Sequence, residues 1–412
     1  MAITLFKNIG LTDANIGGQT SSVGEPSVCN TRNGEFLLSG NWYTTKSLDG
    51  GTSWQFIDPY HLLPPVAGGF CCDQVVAYDA THDLVFWLLQ YVRDGGNTNV
   101  LRLAVKHGGT LTDDAWSWWD FAPATTNPAW VGEWFDFPDL ELGAESLYVT
   151  TNSFAGETWR RSVVFRLPLH TLAEAGAPQY QYFSTTQNFS LRCVRGAGDV
   201  MYFASHNGLS QIRLFTWPES NPGPTTNNVD VSPWAAGQYS APGPDGANWL
   251  GRCDPRITGA WLANGAVGLA WSANRRGSRP FPYVRVVEID LATHQARDND
   301  IWNPNFAYAY PNACPNDRGD VAITLFRGGA ALHPSLLVGM WDPAANRWRL
   351  KTAKSGTNGP VDAKWGDYLT CRRHAPDGLT WVASGYTLQG GGTRDSVQPR
   401  VVVFGLNTDT PG

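Results

Sequence analysis

A unit of roughly 50 to 60 residues recurs along the whole chain, and this recurrence constrains the fold more than any other feature. Each copy opens on a polar stretch bearing proline, cysteine or an acid, enters a β-branched run, turns, and enters a second run ending in Ser, Asn or Arg. The openings fall at residues 24–29, 71–75, 135–140, 190–194, 252–257, 310–314 and 365–371. The second runs read as strands at 36–39, 84–90, 147–151, 200–204, 267–271, 321–326 and 380–384. Helical periodicity is nearly absent, the one weak candidate being 170–175. Seven such units predict an all-β fold, a seven-bladed β-propeller of four-stranded antiparallel blades. Loops rich in Pro, Gly and Asn, at 219–228 and 237–248, fall between units, so residues 1–412 form a single domain. The amino-terminal run 3–7 is expected to close the ring beside a last strand at 400–404, removing the edge that an open sheet would leave unpaired.

Within the first unit, residues 47–54 read S-L-D-G-G-T-S-W, and Ser47, Asp49, Gly51 and Trp54 fit the pattern S-x-D-x-G-x-x-W. Asp49 can accept hydrogen bonds from the turn's own backbone, Gly50 and Gly51 supply positive φ, and Trp54 packs on the blade. The segment resembles the Asp box of the BNR, or sialidase-like, β-propellers. That resemblance implies a turn between the third and fourth strands of a blade, on the face away from the active site. It also implies a carbohydrate-active protein outside the cytoplasm, secreted or periplasmic, which the Trp-rich and Lys-poor composition fits. The first residues, M-A-I-T-L-F-K-N, do not have the pattern of a signal peptide.

Composition narrows the partners. No run approaches the roughly 18 apolar residues of a membrane span, and a net charge of −6 argues against general nucleic-acid binding. Lysine occurs only at 7, 46, 106, 351, 354 and 364, so arginine carries most of the basic side, and its planar fork suits carboxylate, phosphate or sulfate. Nineteen Trp and 14 Tyr fit aromatic-rich sugar sites as well as blade cores. Seven scattered cysteines hold no C-x-x-C pair of pairs, so no zinc site is expected. Six of the seven openings carry a cysteine, at 29, 72, 193, 253, 314 and 371, as crowded inner strands tolerate small, soft side chains. Cys71 and Cys72 read as two buried thiols, with a vicinal disulfide as the alternative. No cofactor is expected; a structural Ca²⁺ held by the acids is the one metal left open. A monomer is expected.

In a propeller the first strand of each blade descends along the axis from the ligand-binding face, and the second climbs back to it. Residues at the openings and just beyond the second strands therefore converge on one mouth. The openings supply Glu25, Asp73, Asp136, Asp139, Asp254 and Asp367, with Arg192 and Arg256 among them. The strand ends supply Asn and Arg, including Arg160, Arg161, Arg275 and Arg276, together with His206. The expected mouth is rimmed by arginine with acids deeper in. The candidate catalytic residues are Asp73, Asp139, Asp254, His206 and Tyr310; Arg192, Arg256, Arg160, Arg275 and Asp367 are the candidate substrate-binding residues. Acids gathered in a funnel raise one another's pKa, which suits a general acid, and arginines hold an anionic substituent.

The short Arg-Ile-Pro motif that precedes the first Asp box in many sialidases is absent, and Gly24-Glu25-Pro26-Ser27 stands near its place. Two classes of function remain. One is an enzyme cleaving an anionic oligo- or polysaccharide of uronate or sialate type. It would act as a glycoside hydrolase with paired carboxylates, or as a lyase using His206, Tyr310 or Tyr368 as base. The other is a lectin-like or scaffold propeller without catalysis. Symmetric lectins repeat one site in each blade, whereas these openings differ widely from unit to unit.

Overall fold

The second strands of the units are buried on both faces, and that burial organises the molecule. All eight residues of Leu84–Tyr91 and all eight of Trp381–Leu388 are buried, as expected of strands sandwiched between neighbouring sheets. The outer strand Thr225–Asp230, by contrast, buries only Val229. A computed structural model describes residues 2–411. It forms seven sheets, each of four antiparallel strands, arranged as a seven-bladed propeller. The inner strands are Ser27–Asn30, Phe70–Asp79, Trp134–Leu142, Arg192–Cys193, Ile257–Ala263, Ala307–Pro315 and Cys371–Arg373. The weak helical candidate is a single turn, Leu169–Ala173, and a second turn of helix that the sequence did not announce lies at Pro123–Thr126.

Adjacent blades are tied by side chains as well as by packing. Gln74 in the second blade donates to the Gly40 and Tyr43 carbonyls of the first, at 2.7 and 3.0 Å. Its Oε1 accepts from Thr44 Oγ1 at 2.7 Å and from the Trp87 indole at 2.8 Å. Every polar atom of this fully buried amide is thereby satisfied. Trp381 of the seventh blade makes the same kind of tie, donating to the Cys314 carbonyl of the sixth at 3.0 Å.

The ring closes between its two ends. Ile3–Gly10 is the outer strand of the seventh blade and pairs antiparallel with Val397–Leu406, Ile3 opposite Leu406 and Gly10 opposite Arg400. The same strand reaches the sixth blade, with Asn8 Nδ2 donating to the Ala353 carbonyl at 2.8 Å and the Ile3 carbonyl accepting from Lys351 at 2.9 Å.

The turn at residues 47–54 joins the third strand, Tyr43–Ser47, to the fourth, Gln55–Ile57. Asp49 accepts from the Ser47 hydroxyl at 2.8 Å, the Ser53 amide at 2.9 Å and the Ser53 hydroxyl at 2.6 Å, and the Trp54 indole donates to the Gly51 carbonyl at 3.2 Å. Because successive strands alternate in direction, this turn lies on the face opposite the openings. The connections from second to third strand, and from each blade to the next, share the face of the openings.

Removing residues 2–10 strips the outer strand from Val397–Leu406 and exposes its ladder groups. The truncated protein is expected to unfold at a lower temperature and to associate as its concentration rises, read by calorimetry and light scattering. A monomer with an unchanged midpoint would show that the closing strand contributes nothing to the ring.

Candidate functional site

The inner strands do not enter the axis as regular strands. In the second, third, fifth and sixth blades the pairing between inner and second strand loses register, between Phe70 and Gln74, Asp136 and Asp139, Ile257 and Gly259, and Ala309 and Asn312. Such bulges free one or more residues from the ladder and re-aim their side chains. At four openings a residue other than glycine also has left-handed backbone: Glu25 at φ 43°, Phe137 at 56°, Ser190 at 58° and Tyr310 at 56°. Three of these precede proline, in Glu25-Pro26, Phe137-Pro138 and Tyr310-Pro311.

These irregularities gather carboxyl groups at the mouth. The Glu25 carboxyl, which is buried, faces that of Asp73, close enough for the two to share a proton. The Asp367 amide donates to Glu25 Oε1 at 3.4 Å. Burial is the main force raising Glu25 well above the usual carboxylate range, and Asp73 and Asp367 add like charge. Asp73 is pushed up to about 7, by burial first and then by Asp136. Gly366 supports this packing: a Cβ there would lie 3.0 Å from the Tyr386 hydroxyl and 3.1 Å from the Glu25 nitrogen.

Two arginines face the acids. Arg256 Nε donates to Asp254 at 2.7 Å, its Nη2 lies 3.0 Å from Asp367, and its guanidinium stacks 3.7 Å over the Phe137 ring. Arg252 lies 3.4 Å from the same Asp367 oxygen, with 46% of its side chain exposed. Tyr368 packs edge-on against Phe137 at 5.8 Å. The Tyr310 hydroxyl meets the Cys253 thiol, the Tyr368 hydroxyl has no partner among the described residues, and burial pushes both well above the ordinary phenol range.

Below this layer the channel is basic. Arg192 pairs with Asp139 at 2.6 Å, and Arg192, Arg195 and Arg372 lie 3.8, 2.7 and 3.4 Å from Glu141. The expected order, arginines at the rim and acids deeper, did not include this third level. Glu25, Asp73 and Asp367 stand above, and the arginines of the channel stand beneath them. The rim arginines are largely engaged: Arg93 stacks on Trp134 and pairs with Glu157, Arg161 stacks on Trp130 and pairs with Glu133, and Arg279 pairs with Asp300.

The structure brings Asp73, Asp254, Asp367, Arg256 and Tyr310 to one mouth, joined by Glu25, Arg252, Phe137 and Tyr368. Asp139 and Arg192 form a buried pair lower in the channel. Arg160 and Arg275 lie outside this cluster, on Thr158–Pro168 and just beyond Ala266–Ala273, and are exposed. His206 sits between Trp234 and Trp271, with ring centroids 4.6 and 4.8 Å away, and its Nε2 lies 2.7 Å from the Pro255 carbonyl. Burial lowers it to about 4. The thiol expectation for Cys71 and Cys72 is also overturned, because the two form a disulfide. They lie in the bulge between Phe70 and Gln74, half-buried at the mouth, whereas the five free cysteines are buried in the packed interior. Glu141, Arg195 and Arg372 escaped the reading by openings. The signal for Glu141 was its position two residues beyond Asp139, on the same face of the strand.

No metal-binding cluster of three His, Cys, Asp or Glu is found among the described residues. A cavity of about 570 Å³ on the opposite face, between the fifth and sixth blades, is lined by Glu288, Asp290, Arg297 and Trp341 and shares nothing with the mouth.

No family model matches the chain, and no curated protein matches its sequence. Similar solved structures include a chain of a mitotic checkpoint complex, 9% identical with a TM-score of 0.48, covering 96% of this chain and 93% of that one. Others are an α-L-arabinofuranosidase from Fusarium graminearum, 10% identical, TM-score 0.45, covering 97% of each chain, and a sialidase from Trypanosoma rangeli, 10% identical, TM-score 0.42, covering 85% of this chain and 56% of that one. Likeness at this level is of overall form and says nothing of the chemistry at the mouth.

The Asp73 shift fixes a sign for stability against pH. Its folded value of about 7 lies above the ordinary carboxylate value, so between the two the folded protein holds a proton that the unfolded chain has released. Its contribution is full at low pH and is lost as pH rises through about 7. Urea unfolding at a series of pH values is expected to show stability falling over this window in the native protein and a shallower fall in Asp73→Asn. Parallel curves would remove Asp73 as the titrating group.

Proposed function

We propose that the mouth is the active site of a glycoside hydrolase. The observation that carries this reading is the pairing of two kinds of carboxyl in one funnel. Asp73 keeps its proton up to about pH 7, while the carboxylates of Asp367 and Asp254 are held by Arg256. Glycosidic bond hydrolysis asks for such a division, one group protonating the leaving oxygen and the other acting as base or nucleophile. Asp73 takes the first role, with Glu25 behind it as the group that keeps the proton in place. Asp367 takes the second.

Elimination fits less well. A lyase base must be unprotonated, strong enough and within reach of the substrate, yet burial keeps the Tyr310 and Tyr368 hydroxyls protonated by pushing them well above the ordinary phenol range, and it makes His206, packed between Trp234 and Trp271, a weak base at about 4. Preference for an anionic glycan rests on Arg252, which is half-exposed and makes one contact of 3.4 Å. Arg192 and Arg256 are already engaged by acids.

Incubation with a panel of neutral and uronate-bearing polysaccharides is expected to release reducing ends without the ultraviolet absorbance of an unsaturated uronate. Asp73→Asn and Asp367→Asn should each lower kcat by about 10²- to 10⁴-fold, the usual range for losing an acid or base. Arg252→Gln should raise KM for uronate-bearing chains and leave neutral ones unchanged. Binding without any product across the panel would make the propeller a lectin, and unsaturated products would make it a lyase.

A further inference from the structure

The lower channel carries more positive charge than its own acids balance. Arg192, Arg195 and Arg372 are 5%, 4% and 8% exposed, and the carboxyls that face them are Asp139 and Glu141. Three guanidinium groups against two carboxyls leave at least one positive charge. The thiols around the cluster do not offset it, because burial raises Cys29, Cys193, Cys314 and Cys371 and keeps them protonated. Like charge is felt within the cluster, since Arg195 acts with burial to lower Arg372.

The hydrogen bonds are as incomplete as the charge. Arg195 Nε donates to Glu141 at 2.7 Å, and its Nη1 reaches Asn312 Oδ1 and the Cys371 carbonyl. Its Nη2, together with Arg192 Nε and both Nε and Nη2 of Arg372, is buried with no partner among the described residues. All three side chains converge within 4 Å of one residue, Glu141, so the four unpartnered nitrogens belong to one cluster. A buried guanidinium left without an acceptor is costly, and so is an uncompensated buried charge.

We propose that this cluster is a binding site for a small monovalent anion, chloride under ordinary conditions, accepting from the free nitrogens of Arg192, Arg195 and Arg372. One negative charge offsets the surplus of one guanidinium over the two carboxyls, and a spherical acceptor has no directional demand that the three guanidinium groups would fail to meet. A cation has no place there, since every charged group beyond the two acids is positive. The site lies on the axis beneath the acid layer and would be structural, joining the third, fourth and seventh blades.

An ion that binds the folded state alone raises its stability with the logarithm of ion concentration. The thermal midpoint of the intact protein is expected to rise as chloride replaces gluconate at constant ionic strength, and Arg372→Met should abolish the rise. Crystals of the native protein grown in bromide should show an anomalous peak within hydrogen-bonding distance of the three guanidinium groups, which tests the site even if the variant fails to fold. Equal midpoints in chloride and gluconate, or density at the cluster without anomalous signal, would overturn the proposal and leave water as the acceptor.

Discussion

Six of the seven blades are continuous runs of chain, and the seventh is not. It takes its outer strand from the opposite terminus, so the pairing of Ile3–Gly10 with Val397–Leu406 ties the two ends of the chain together, beside contacts such as Ser384 to the Pro26 carbonyl across the same seam. Everything at the axis depends on that closure. The inner strand of the seventh blade, Cys371–Arg373, contributes three residues, and the inner strand of the fourth, Arg192–Cys193, contributes two. Neither could hold an arginine at the axis by its own ladder. Their side chains are placed by the neighbours that the closed ring brings up, which is why Arg372 meets Glu141 across 231 residues of sequence.

Closure also concentrates charge where water is scarce, and the molecule answers by layering it. For Glu25 and Asp73 burial is the largest influence, ahead of every charge, and Arg252 and Arg256 pull down less than burial pushes up. Both carboxyls are thereby pushed toward keeping a proton rather than standing as two buried anions. One layer down, the acids are outnumbered and the burden falls on the arginines. Pairing explains most of both layers, and the remainder in each points to a ligand: acceptors and a proton above, donors and a positive charge below.

Much of this could be read from the chain. The repeat gave blade number, the second strands and the closing segment, because strands buried on both faces are written as unbroken apolar runs. The openings brought Glu25, Asp73, Asp254, Arg256 and Asp367 to one mouth, since strand direction alone decides which end of a blade a residue occupies. Depth along the axis was not legible in the same way. It depends on how far each inner strand runs before it bulges, and Phe70–Asp79 has ten residues where Arg192–Cys193 has two. The state of Cys71 and Cys72 was hidden for the same reason. Adjacent cysteines in a regular strand point to opposite faces, and only the break before Gln74 releases them to bond with each other.

That break belongs to a wider pattern that bears on what the mouth is for. Left-handed backbone at Glu25, Phe137, Ser190 and Tyr310 costs on the order of 1–3 kcal/mol each, and residues before proline are normally confined to extended conformations. Ring geometry does not require this, because the fifth blade enters Ile257–Ala263 with no left-handed residue between 247 and 257. Three of the four place side chains at the mouth. Glu25 meets Asp73, Phe137 lies beneath the Arg256 guanidinium, and Tyr310 stands beside Cys253 and Asp367. A scaffold with no ligand at its axis would gain by relaxing these positions into regular strand. Keeping them strained fits the proposed site, in which placing a few side chains matters more than the stability given up to place them.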